Sequence, residues 1–179
     1  IDALQSGVGC MQLRDKRSDT QTLIKRTQTL MRLARPWRVL VIVNDRVDVA
    51  LAAGAHGVHL GQSDTPLAEA RATLGQHAVI GLSLEHPSEL ASADVAIADY
   101  LAVSPVFDTP TKTNTAPAWG LEGLRRARLA TRSPLVAIGG IDAARLPAVW
   151  DTGVDGVAVV RAISDAADTG AAVTQLRSL

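Results

Sequence analysis

A chain of 179 residues with 47% hydrophobic content is long enough for one domain with a substantial buried core and too short for two ordinary ones. Eighteen basic side chains balance eighteen acidic ones, so the overall field gives no reason to expect a nucleic-acid partner or attraction to a membrane surface, and an anionic ligand must be held by a local site. A single cysteine, Cys10, excludes an internal disulfide, and no apolar run reaches the roughly eighteen residues needed to span a bilayer, which makes the cytoplasm the expected compartment.

Aromatic residues make up only 3% of the chain, while small and β-branched aliphatic residues dominate its apolar stretches, as parallel strands covered on both faces require. Seven short apolar runs read as strands: residues 10–13, 39–43, 57–60, 79–82, 100–103, 135–138 and 156–160. Helical patterns lie between them. Over residues 18–35, Leu23, Thr27, Leu30 and Ala34 fall on one face and Pro36 ends the run. A second helix over 66–74 starts with proline after Ser63-Asp64-Thr65, and Asp142 is placed to cap a helix running to Trp150. Strand and helix alternate, which implies βαβ crossovers in an α/β fold: an open doubly wound sheet or a closed (β/α)₈ TIM barrel. Seven strands leave a barrel one short. The expectation is a single barrel domain over residues 1–179 whose first strand precedes Ile1, with residues 1–6 as the tail of the first helix. No leader of basic then apolar residues is seen, and no linker, low-complexity tract or sequence repeat.

Almost every strand is followed at once by polar or glycine residues, and in barrels the carboxyl ends of the strands share one rim. In Gln12-Leu13-Arg14-Asp15-Lys16, the period of two places Gln12, Arg14 and Lys16 on one face, toward the interior. Two inward cations are costly unless an anion meets them, so a diphosphate accounts for them better than a rim ion pair of Arg14 or Lys16 with Asp15 or another carboxylate. Asn44-Asp45 and Gln62-Ser63-Asp64 follow the next two strands. Asp45 and Asp64 are hard oxygen donors of the kind that hold Mg²⁺ together with substrate phosphates, although Asp64 could cap a helix and Asp45 could pair with Arg46. His56 and His59 flank Val58, but without a third ligand they read as packing or surface residues. Ser83 has no recognisable histidine and acid partners, so a hydrogen bond to phosphate suits it better than nucleophilic attack. The segment 105–112 carries Thr109, Thr111 and Lys112 as donors in what reads either as a closing flap or as a solvated loop with a free lysine. Gly139-Gly140 and Val160-Arg161 end the last two strands, where barrels commonly hold phosphate on backbone N–H groups, although a tight turn would also require glycine.

Taken together, QLRDK from Gln12, NDRVDVALA from Asn44, GVHLGQSD from Gly57, GLS from Gly81, PVFDTPTKT from Pro105, VAIGGI from Val136 and GVAVV from Gly156 resemble the thiamine-phosphate synthase family over essentially the whole chain. The resemblance implies a transferase that condenses 4-amino-5-hydroxymethyl-2-methylpyrimidine diphosphate with a thiazole phosphate, releasing diphosphate and forming thiamine phosphate, with Mg²⁺ as cofactor. It implies that Gln12, Arg14, Lys16, Asn44, Ser83 and Lys112 hold the pyrimidine diphosphate, with Ser83 and Lys112 the candidate catalytic residues. Asp45 and Asp64 would hold the metal, and Thr109, Thr111, Gly139 and the backbone around Val160 and Arg161 the thiazole phosphate. The family mechanism is dissociative: diphosphate leaves, a pyrimidine methyl cation forms, and the thiazole nitrogen attacks it. Such chemistry needs charge placed in advance and no protein nucleophile.

Three positions depart from the family pattern. Asn114 stands where an acid is frequent, Arg161 where a serine is common, and Glu85 where a histidine often follows the serine. Two other readings share the barrel: a thiazole tautomerase, which would not need Asp45, Asp64 or the Thr-Pro-Thr-Lys run, and a barrel that binds thiamine-related phosphates without turnover. The sequence leaves the oligomeric state open, a homo-oligomer included.

Overall fold

The computed structural model describes residues 1–109 and 116–179. Its seven strands are β1 (Cys10–Leu13), β2 (Leu40–Asn44), β3 (Gly57–Leu60), β4 (Val79–Leu84), β5 (Tyr100–Val103), β6 (Leu135–Ile138) and β7 (Gly156–Ala158). They hydrogen-bond in chain order as one parallel sheet, which curls as a half-barrel. Among the described residues no pairing joins β7 to β1, so both are edges.

The helices are α1 (Asp2–Gln5), α2 (Thr20–Ala34), α3 (Val47–Ala53), α4 (Leu67–Leu74), α5 (Gly120–Ala130), α6 (Leu146–Trp150), α7 (Arg161–Ser164) and α8 (Thr169–Ser178). The longest, α2, begins where Asp19 accepts a hydrogen bond from Thr22 N at 3.0 Å and buries Leu23, Thr27 and Ala34 on one face. Three expectations are adjusted. Asp142 receives Arg145 N at 3.0 Å and so closes the turn ahead of α6 instead of capping the helix itself. The last strand stops at Ala158, because Val160 already serves as the N-cap of α7. Between β4 and β5 the chain makes two 3₁₀ turns, Pro87–Ala91 and Ala93–Ala96, in place of an α-helix. Among the described residues no helix is long and apolar enough to cross a membrane.

Side chains alternate across the sheet. Val58, Leu60, Ile80, Leu82, Leu101, Val103, Leu135 and Ala137 face outward and meet Val49, Leu67, Ala70, Leu124, Leu146 and Val149 from the helices, which forms the main core. The other face, with Ile42, His59, Ser83, Tyr100, Val136 and Ile138, lines a cavity of about 1660 Å³. Burying the outward set between sheet and helices leaves the inward set and the strand ends available for chemistry.

Candidate active site

The cavity reaches the carboxyl ends of the strands, where Gln12, Arg14, Lys16, Asn44, Asp45, Asp64, Ser83, Thr109, Gly139, Val160 and Arg161 all line it. Seven successive strand ends thus bring together residues separated by as much as 149 positions, 12 to 161. Thr111, Lys112 and Asn114 lie outside the described residues.

The acidic pair stands at the ends of β2 and β3. Asp45 has φ 63°, a left-handed conformation that Asp tolerates better than most residues, and its N–H donates to His59 O at 2.9 Å. That bend turns the carboxylate to Lys16, whose Nζ lies 3.1 Å from Asp45 Oδ2. The alternative pairing with Arg46 does not form, since Arg46 holds Asp48 at 2.5 Å. Lys16 thus forms a rim ion pair with a carboxylate other than Asp15, which accepts from the N–H groups of Arg17 and Ser18 and pairs with Arg26. Asp64 accepts from Gly61 N at 2.7 Å and folds its own loop back, while Pro66 occupies the N-cap of α4. Burial raises the Asp64 carboxyl above its ordinary range and the Asp45 carboxylate raises it further, against the lowering by the Gly61 N–H and Lys16. A part-buried carboxyl whose ionisation is made costlier by a second carboxylate forms a site that a divalent cation would relieve. Among the described residues there is no cluster of three or more His, Cys, Asp or Glu side chains, so a cation held by this pair would draw its other ligands from substrate oxygens and water. That donor set fits Mg²⁺.

The sequence offered no histidine for Ser83; the structure supplies one. His59 Nε2 lies 2.8 Å from Ser83 Oγ, and His59 Nδ1 lies 2.9 Å from the Tyr100 hydroxyl. Ser83 is further held through its carbonyl, which accepts from Gln62 Nε2 at 2.7 Å. His59, expected to pack or to sit at the surface, is buried on the cavity face. The signal was its place between Gly57 and Gly61, inward at period two with no side chains beside it. His56 has the structural role instead: its Nδ1 accepts from Val41 N at 2.9 Å.

At the opposite side of the cavity, Gly139 and Gly140 have φ 107° and 65°. A Cβ on Gly139 would lie 2.8 Å from Pro105 Cβ, and one on Gly140 2.8 Å from both Phe107 Cβ and Asp108 O. Val106 N and Phe107 N donate to Ile138 O and Gly139 O at 2.9 and 3.0 Å, so the glycines let the segment after β5 lie against the end of β6. The close approach and the turn both require glycine, and the two residues still face the cavity. Arg161 directs its Nε to Asp165 Oδ2 at 2.7 Å, and it lines the cavity beside Val160.

Residues 1–163 match the family described as thiamine monophosphate synthase. A thiamine-phosphate synthase of Albidiferax ferrireducens is 49% identical over 177 residues, which span 99% of this chain and 81% of that one. One from Vibrio campbellii is 45% identical, spanning 99% of this chain and 87% of its own. Among solved structures, the thiamine phosphate pyrophosphorylase of Pyrococcus furiosus superposes with a TM-score of 0.90 at 39% identity, covering 99% of this chain and 85% of that one. A 3-hexulose-6-phosphate synthase, at 21% identity and a TM-score of 0.73 over 99% of this chain and 92% of its own, shares the fold. With the acidic pair, the cavity-lining cations and the glycine turn on successive strand ends and these relatives matching 99% of this chain, the chain belongs to the thiamine monophosphate synthase family.

Proposed function

We propose that this protein is a thiamine-phosphate synthase, which joins a pyrimidine diphosphate to a thiazole phosphate and releases diphosphate. The observation that carries the reading is the meeting of Lys16, Asp45 and Asp64 at the ends of three consecutive strands, in a chain 49% identical to a protein of that name. A departing diphosphate needs positive charge arranged in advance and no nucleophile. Lys16 and Arg14 meet its oxygens, with Gln12 and Asn44 beside them. Asp45 and Asp64 would hold Mg²⁺, which would supply positive charge against the leaving group. By the family resemblance, Ser83 and Lys112 would hold the pyrimidine diphosphate, and Thr109, Thr111, Gly139 and the backbone at Val160 and Arg161 would receive the thiazole phosphate. A cavity of about 1660 Å³ lined from β1 to β7 suits two substrates bound side by side, so that the thiazole nitrogen reaches the pyrimidine methylene carbon.

The seam between β7 and β1 is the place for an eighth parallel strand that would complete a (β/α)₈ barrel. Two unpaired strand edges support it, since such edges are ordinarily covered, as does the 81% and 87% coverage of two relatives.

The test is to supply the full-length protein with both phosphorylated substrates, with and without Mg²⁺, and to follow thiamine phosphate by conversion to fluorescent thiochrome. Magnesium-dependent product that disappears in Asp64→Ala is the expected result. Substrate binding with no product would move the reading to a binding-only barrel, and isomerised thiazole alone to a tautomerase.

A further inference from the structure

The inner face of the sheet is mostly aliphatic, yet three neighbouring strands carry one continuous polar chain. His59, Gly81 and Tyr100 occupy matched registers of β3, β4 and β5. Gly81 leaves the space that Tyr100 fills: a Cβ there would lie 2.1 Å from Tyr100 Cζ. The phenol therefore crosses β4 and stacks on the imidazole, with ring centroids 5.4 Å apart and 21° between planes. Its hydroxyl reaches His59 Nδ1 at 2.9 Å, and His59 Nε2 reaches Ser83 Oγ at 2.8 Å.

We infer that Tyr100 and His59 are positioning residues which fix the direction of the Ser83 hydroxyl, so that it donates its proton to an acceptor atom of the pyrimidine diphosphate. The inference rests on the synthase reading. Burial raises the Tyr100 phenol well above its ordinary range, so it keeps its proton across the working range of pH. The half-buried phenol stacks on the imidazole with its hydroxyl 2.9 Å from His59 Nδ1, and among the described residues that nitrogen is the acceptor within reach of its proton. In a neutral imidazole, accepting at Nδ1 leaves the proton on Nε2. Nε2–H then donates to Ser83 Oγ, and the serine proton is directed into the cavity. The reverse order would strand the phenol proton and turn Ser83 into an acceptor toward the substrate. Each link is a neutral hydrogen bond, and no proton is transferred in the reaction.

The experiment is a double-mutant cycle of Tyr100→Phe and Ser83→Ala on the full chain, read as kcat and KM for each substrate in the presence of Mg²⁺. Tyr100→Phe keeps the ring and should raise KM for the pyrimidine diphosphate roughly fivefold, the effect of one neutral hydrogen bond, with KM for the thiazole phosphate unchanged. In the Ser83→Ala background it should add nothing. His59→Gln, which retains an amide donor, should lose less than His59→Met of similar volume. An equal loss from Tyr100→Phe with and without Ser83 means that the phenol only packs, and it overturns the inference while leaving the synthase reading intact. A wild-type protein that forms no thiamine phosphate overturns both.

Discussion

Lys16 Nζ stands 3.1 Å from Asp45 Oδ2, which ties the segment after β1 to the end of β2. Lys16 is 59% exposed and Asp45 24%, so the pair is solvated and contributes at most about 1 kcal/mol to stability. Its value lies in position. The ammonium offsets one member of an acidic pair and stands where an incoming diphosphate can exchange it for metal and phosphate oxygens.

Replacing Lys16 by Met should therefore leave the melting temperature within about 2 °C of wild type and raise KM for the pyrimidine diphosphate at least about tenfold, the loss of one charge-assisted contact. Calorimetry and steady-state kinetics on the same preparation check both halves. A large fall in Tm with an unchanged KM would make the lysine a structural residue.

Asp64→Asn should abolish magnesium-dependent turnover and at the same time stabilise the metal-free protein. The folded state raises the Asp64 pKa by burial first and by Asp45 next, so it binds a proton more tightly than the unfolded chain does. The stability cost is present in full above the raised pKa and vanishes as pH falls below the unfolded carboxyl value, about 4. Asparagine can still accept the Gly61 N–H without charge. In chelator-treated samples the variant should melt about 2 °C higher at pH 8, the gap closing toward pH 4. Added Mg²⁺ should raise the Tm of wild type alone. A gap independent of pH would refute the electrostatic explanation.

Gly140→Ala puts a Cβ 2.8 Å from Phe107 Cβ at a residue with φ 65°, and should cost about 1–3 kcal/mol in urea unfolding. Gly75→Ala is the control, since Gly75 also has positive φ, 83°, but nothing lies within 4 Å; it should cost less. Only the Gly140 variant should raise KM for the thiazole phosphate, because only it displaces the segment leading to Thr109.

Leu124 is fully buried on α5 in the main core, far in function from the strand ends. Leu124→Ala should lower stability by about 2–5 kcal/mol while the folded fraction keeps its kcat and both KM values at a temperature well below the new midpoint. A selective loss of affinity for one substrate would mean that the helix layer adjusts the site directly.

Much of this architecture was legible in the residues. Seven apolar runs identified the seven strands, because parallel strands whose two faces are largely withdrawn from water must be aliphatic over a few residues and the chain must turn polar where they end. Strand ends differ from expectation at Val160, which caps α7, and the region after β4 winds as 3₁₀ turns, which periodicity does not distinguish from a short helix. Gln12, Arg14, Lys16, Asn44, Asp45 and Asp64 could be named as a group because period-two alternation and the shared rim are properties of the pattern alone.

What no local pattern contains is which side chains meet across strands. That Asp45 turns to Lys16 instead of Arg46 follows from a left-handed backbone at one residue. That Tyr100 reaches His59 follows from an empty position at Gly81 on the strand between them. The sequence by itself determined the alternating strands and helices, the aliphatic core and the residue types gathered at one rim, since these depend on periodicity and solvation. Only the tertiary structure decided the partners, because register and curl place residues distant in the chain within hydrogen-bond reach, and such contacts depend on geometry to a fraction of an ångström.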